Sequence, residues 1–119
     1  MFKTKNPNPM FESVTDILPQ ELNELINSGT KFKLLDVRQP DEYVGELGHI
    51  ADAELMVLDQ LPEKYQSLSR NDDIVVICKS GGRSARATAF LADQGFKKVF
   101  NMKGGMLLWN ELGLPVKKS

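Results

Sequence analysis

The residues of this 119-residue chain best equipped for chemistry lie together in one short stretch, Cys78-Lys79-Ser80-Gly81-Gly82-Arg83-Ser84. Cys78 follows directly on Ile74-Val75-Val76-Ile77, a β-branched run that is the strongest strand signal in the sequence. After the loop comes SARATAFLADQ, an Ala-rich segment of high helix propensity, so a helix is expected to begin near Arg83 or Ser84 and to end at Gly95. A thiol at a strand end, before a turn into a helix, sits where open α/β sheets bind ligands. Two glycines let the backbone turn tightly, and successive N–H groups curved around one point make an anion-binding nest. A structural cysteine belongs more often inside a strand or helix, so this one reads as reactive.

Bringing a thiol from about 8.5 to about 6.5 requires roughly 2.7 kcal/mol of preference for the thiolate. A helix N-terminus supplies up to ~2 kcal/mol, and each hydrogen bond to a charged group ~1.5–3 kcal/mol. Lys79 and Arg83 add to this if they point inward. No histidine base is therefore needed. A Cys78–His49 hydrolase is one competing chemistry, but such a pair is spatial, and His49 in Gly48-His49-Ile50 reads first as a hydrogen-bonded structural group. A cysteine phosphatase is another. Its pattern is Cys-x5-Arg, whereas here four residues separate Cys78 from Arg83 and the sixth position is Ser84. A ring shorter by one N–H suits a single sulfur atom better than a phosphoryl group.

Composition narrows the field further. One cysteine forbids an internal disulfide, a CxxC pair and a multi-cysteine zinc site, and one histidine forbids HExxH and two-histidine metal sites. No metal or cofactor is expected. A net charge of −1 argues against an electrostatic nucleic-acid binder. The opening MFKTKNPNPM lacks the apolar run of a signal or membrane span, so a soluble cytoplasmic protein is expected, with a flexible lead-in over residues 1–11 and one domain over 12–116. The charge is divided unequally: residues 1–60 carry a net of −6, and residues 61–119, which include Cys78, a net of +5. Lys79, Arg83, Arg86, Lys97, Lys98 and Lys103 would steer an anion toward Cys78 if they surround it.

The elements that must position the loop alternate along the chain. A short edge strand is expected over Val14 to Ile17, then a helix from Pro19 bearing Leu22, Leu25 and Ile26 and stopping at Gly29, with Leu18 a poor cap. Phe32 to Val37 reads as a buried strand, and Gln39 to Tyr43 as a short helix with acids in its first turn. A weak strand around Ala53 to Val57 precedes an amphipathic helix marked by Leu61, Tyr65 and Leu68. After the Cys78 loop and its helix come a strand at Val99-Phe100 and a last helix with Met106, Leu107, Trp109 and Leu112, closed by Gly113 and Pro115. Central strands apolar on both faces imply a mainly parallel sheet covered by helices.

CKSGGRS resembles the Cys-x-x-Gly-x-Arg-Ser active loop of the rhodanese family of sulfurtransferases. LLDVRQPDEY (Leu34 to Tyr43) is similar to the family's first motif, with Asp36, Arg38 and Glu42 on matching positions, and GHI to its second. GGMLLWNELGLPV (Gly104 to Val116) looks like its closing Gly-Gly-x-x-x-Trp helix. Together these cover roughly residues 12–116. The resemblance implies a three-layer α/β domain with a central five-stranded parallel sheet flanked by helices. It implies that the Cys78 thiolate takes the outer sulfur of a donor such as thiosulfate and passes it to cyanide, a thiol or a partner protein. Backbone N–H groups from Lys79 to Ser84 (Lys79, Ser80, Gly81, Gly82, Arg83, Ser84) would hold the terminal sulfur, with Asp36, Arg38 and His49 in supporting, architectural roles.

Alternatives stand beside each role. Arg38 is either a solvated charge or paired with Glu42 four residues on. Lys79 either meets substrate or points to water, and Trp109 and Phe100 read as core before platform. A non-catalytic rhodanese-fold binding module remains the alternative from another class. With no second thiol, a persulfide on Cys78 must be resolved by an external acceptor. The partners implied are thus a small anionic sulfur donor and an external thiol or protein acceptor, with no nucleic acid and no membrane.

Overall fold

The computed structural model describes residues 3–5 and 14–118. The strands are β1 (Lys3–Lys5), β2 (Thr15–Ile17), β3 (Lys33–Asp36), β4 (Glu54–Leu55), β5 (Ile74–Ile77) and β6 (Val99–Met102). The helices are α1 (Pro19–Asn27), α2 (Pro40–Tyr43), α3 (Leu61–Lys64), α4 (Gly82–Asp93) and α5 (Gly105–Glu111). One sheet runs in the order β1-β2-β6-β5-β3-β4. Five of its strands, β2 to β6, are mutually parallel, as expected, and β1 pairs antiparallel with β2.

The apolar run of β5 explains its central place. All four of its residues are buried, hydrogen-bonded on one side to β3 and on the other to β6. Alternation then assigns residues to two cores. Ile74, Val76 and Cys78 pack with Leu61, Leu68, Ala87 and Leu91 beneath α3 and α4. Val75 and Ile77 pack with Leu22, Met106 and Trp109 beneath α1 and α5. Cys78 therefore leaves the strand on the side of α4, and Trp109 is core, its indole N–H donating to Pro115 O at 2.9 Å.

Three local expectations change. β2 is not the sheet edge, because β1 covers it; apart from Lys3–Lys5, which form β1, the expected flexible lead-in over residues 1–11 lies outside the described residues. The segment marked by Leu61, Tyr65 and Leu68 is one α-turn between two 3₁₀ turns, Leu58–Gln60 and Tyr65–Ser67. Pro62 lacks an N–H and fits only a first turn, while the 3₁₀ bonds still bury Leu61 and Leu68. α4 begins at Gly82, slightly before the expected start. Among the described residues, no helix is long and apolar enough to cross a membrane.

Candidate active site

The site is built where β5 hands over to α4. Cys78 is 1 % exposed; the Gly81 N–H donates to its Sγ at 3.0 Å, and the Ser84 hydroxyl lies within hydrogen-bond reach of it at 3.1 Å. Gly81 takes a left-handed conformation, φ +104°, at modest cost only for glycine, and from it the chain turns into α4. The outer side of the loop is fixed by α5. Met106 and Leu107 donate their N–H groups to Cys78 O at 2.8 Å and Lys79 O at 2.9 Å. In a trans peptide the N–H points opposite the carbonyl, so the N–H groups of Lys79 and Ser80 face away from α5. Gly105 makes this docking possible. A Cβ there would lie 2.4 Å from Lys79 O and 2.5 Å from Cys78 O.

The two arginines of the motifs each take a carboxylate partner. Arg38 is fully buried and grips the Asp36 carboxylate through Nε at 3.0 Å and Nη2 at 2.8 Å. Its remaining donors reach Gly48 O at 2.7 Å and Glu42 O at 3.2 Å. Neither alternative for Arg38, a solvated charge or a pair with the Glu42 carboxylate, is realised; it pairs with Asp36. The reason is that the chain is extended through Gln39, so helical i, i+4 spacing does not apply, and a buried guanidinium needs a buried countercharge. The Glu42 carboxylate instead takes Arg83 in a bidentate pair at 2.6 and 2.7 Å, strapping α2 to α4. That bond with Arg83 holds the Glu42 carboxyl down at about 2 despite partial burial, and raises the Arg83 guanidinium above its ordinary range. The Arg83 guanidinium is thus held by Glu42 rather than bonded to the sulfur.

His49 is buried, with Nδ1 2.8 Å from Tyr43 O and its ring stacked on Tyr43 at 3.7 Å. Its backbone exchanges hydrogen bonds with Lys117 at 2.7 and 2.8 Å. The ring's hydrogen bond thus goes to Tyr43, whereas Sγ meets Gly81 and Ser84. Beside the loop opens a cleft of about 430 Å³ whose lining includes Asp41, Glu42, Glu46, Lys79 and Leu107. Lys79, which lines it, is exposed, as is the neighbouring Ser80. The six basic residues do not all surround Cys78. Lys97 and Lys98 precede β6 at the far end of the strands, where Lys98 lies 3.9 Å from Asp73.

Two site residues escape sequence reasoning. Ser84 also contacts Asn101 Oδ1 in a short hydrogen bond, and Asn101 Nδ2 donates to Asp16 Oδ1 at 2.9 Å. Both are buried polar side chains in short strands, Asn101 the one polar residue of β6, and they face each other in the β2–β6 register. An isolated buried polar residue must find a partner, which is the one signal available; the partner itself depends on strand order.

Comparison with known proteins agrees with this geometry. The rhodanese-like domain family matches residues 18–112. A sulfurtransferase of Allochromatium vinosum is 32% identical over 103 residues, covering 87% of this chain and 94% of that protein. The putative sulfurtransferase YtwF of Bacillus subtilis is 38% identical over 96 residues, covering 81% and 90%. The crystal structure of a rhodanese-related protein from Thermoplasma volcanium superposes with a TM-score of 0.78 at 35% identity, covering 87% of this chain and 98% of that one. With a buried cysteine at the strand-to-helix loop beside five parallel strands and a family match spanning most of its length, this chain belongs to the rhodanese-like domain family.

Proposed function

We propose that the chain is a sulfurtransferase that cycles through a persulfide on Cys78, with thiosulfate as a competent donor. The observation that carries this reading is the environment of Sγ: one backbone N–H and one hydroxyl converge on a sulfur at the N-terminus of a 12-residue helix. Donors within reach of a sulfur stabilise negative charge there without a histidine. The Cys78 thiolate attacks the outer sulfur of thiosulfate, the new Sγ–S bond forms, and the donor's S–S bond breaks with its electron pair leaving on sulfite. A nucleophilic acceptor then attacks the terminal sulfur: cyanide gives thiocyanate, and a thiol gives its own persulfide. Either way the Cys78 thiolate returns.

The loop residues divide the work. The N–H groups of Lys79 to Ser84 receive the anionic terminal sulfur, and exposed Lys79 meets the donor at the mouth of the cleft. Asp36, Arg38 and His49 hold the frame around them, since each is spent on a structural partner. With one cysteine in the chain, the acceptor is external. The test is thiocyanate production from thiosulfate and cyanide, paired with intact-mass analysis of protein purified without reductant. The native chain should yield thiocyanate and carry one additional sulfur atom, and Cys78→Ser should lose both. Activity retained by Cys78→Ser would overturn the assignment.

A further inference from the structure

The hydroxyl of Ser84 owns a single proton, yet three acceptors lie within its reach: Cys78 Sγ at 3.1 Å, Gly81 O at 3.2 Å and Asn101 Oδ1 in the short contact. A hydroxyl donates once, so these acceptors compete. Asn101 is not free to change the outcome by turning over. Its Nδ2 donates to the Asp16 carboxylate at 2.9 Å, an acceptor with no proton to offer, and this bond turns Oδ1 toward Ser84. Asp16, Asn101, Ser84 and Cys78 are all buried, so water does not rescue a lost partner.

We infer that Asp16 and Asn101 are positioning residues that hold the Ser84 proton on Asn101 while Cys78 is a thiol, and thereby set the pH at which the thiolate forms. In the thiol state the chain runs one way: the Cys78 S–H donates to Ser84 Oγ, and the Ser84 O–H donates to Asn101 Oδ1. Once sulfur is ionised it has no proton, so the hydroxyl rotates and donates to Sγ, leaving Asn101 Oδ1 without that donor. Each thiolate thus forms at the expense of one hydrogen bond that Asp16 has oriented. The Gly81 N–H donates to sulfur in both states. The other charged groups around the loop are Arg83, held by Glu42; Asp36 and Arg38, which pair with each other; and Lys79 and Lys103, both exposed.

This inference rests on the sulfurtransferase reading only in taking the thiolate as the reactive form, and its test uses no sulfur donor. The readout is the thiolate's ultraviolet absorbance against pH, checked by the rate of iodoacetamide alkylation. Asp16→Asn lets the Asn101 amide turn its Nδ2 toward Ser84, so the hydroxyl proton goes to sulfur. The thiolate midpoint should fall by about one to two pH units. Asn101→Ala removes the competing acceptor and should move it in the same direction. Ser84→Ala should raise it. The decisive protein is Asp16→Asn/Ser84→Ala: without the hydroxyl, the Asp16→Asn shift should vanish. If the shift persists in that background, the carboxylate acts through its field alone and the relay is overturned, as it is if both Asp16→Asn and Asn101→Ala leave the midpoint unchanged. Failure of thiocyanate formation in the native chain alongside these shifts would sink the functional reading and leave the relay standing.

Discussion

The two ends of the sheet each carry a cleft and paired charges, but they are built differently. At the carboxyl ends of the strands, Arg38 and Asp36 are buried and joined at 2.8 Å, and Arg83 meets Glu42 bidentately. At the amino ends, Lys33–Glu54 and Lys98–Asp73 are solvated pairs at 3.0 and 3.9 Å. The larger cavity, about 650 Å³, is at that amino end, lined in part by Phe32, Asp52 and Asp73. Cavity size alone would therefore point away from Cys78. A parallel sheet is polar: its strands all end on one side, where helices begin and dipoles converge. That side holds the sulfur, the glycine turn and the charges that cannot move.

The comparison predicts unequal costs of removing one charge. Arg38→Met leaves the Asp36 carboxylate buried without its guanidinium, and should lower stability by about 3–5 kcal/mol in urea unfolding. Asp36→Asn/Arg38→Met, which leaves no orphan charge, should recover much of that loss, because the penalty lies in the unpaired ion. A loss below about 1 kcal/mol for Arg38→Met would mean that this end is no more tightly built than the other.

These differences were unequally legible in the sequence. The Cys78 loop could be read directly because its chemistry is contiguous, and β5 because four β-branched residues in succession leave little choice. The partner of Arg38 could not be, since i, i+4 spacing is helical logic applied to an extended segment. Glu42 and Arg83 are 41 residues apart, and Asp16 and Asn101 are 85 apart, so both pairs exist only once the strand order is known. The segment around Leu61 misled for a different reason: an α-turn flanked by 3₁₀ turns buries the same leucines that a continuous helix would. The basic run at Lys97 and Lys98 looked close to Cys78 in sequence, but a parallel strand carries its two ends to opposite sides.

The Glu42–Arg83 strap stands between the buried pair and the solvated ones. Its partners are 25% and 35% exposed, so Glu42→Gln should cost only about 1 kcal/mol at neutral pH. The pH dependence carries the sharper signature. Glu42 titrates at about 2 when folded against an ordinary 4.5, so the pair stabilises fully above about 4.5 and its contribution is lost as pH falls toward 2. Stability of the native chain should therefore decline across that window more steeply than that of Glu42→Gln. Parallel declines would show that the strap is not coupled to folding.

The smallest effects belong to the amino end, and they bear on how an anionic donor finds the site. Lys98→Ala removes a charge that is 68% exposed, so stability should change by less than about 0.5 kcal/mol. Its distance from the loop along the strand matters more. Exposed charges separated by more than about 8 Å are largely screened at physiological ionic strength, so Lys98→Ala should leave the KM for thiosulfate unchanged. Lys79→Ala removes a charge next to the nucleophile, where a solvated pair is worth up to ~1 kcal/mol, or about fivefold in KM. Asp41 and Glu46 share the cleft with Lys79 and oppose any strong attraction, so the salt dependence of sulfur transfer should be shallow. If Lys98→Ala instead raised KM as much as Lys79→Ala, the positive half of the chain would act as one long-range field, and the division between the two ends would not hold for substrate capture.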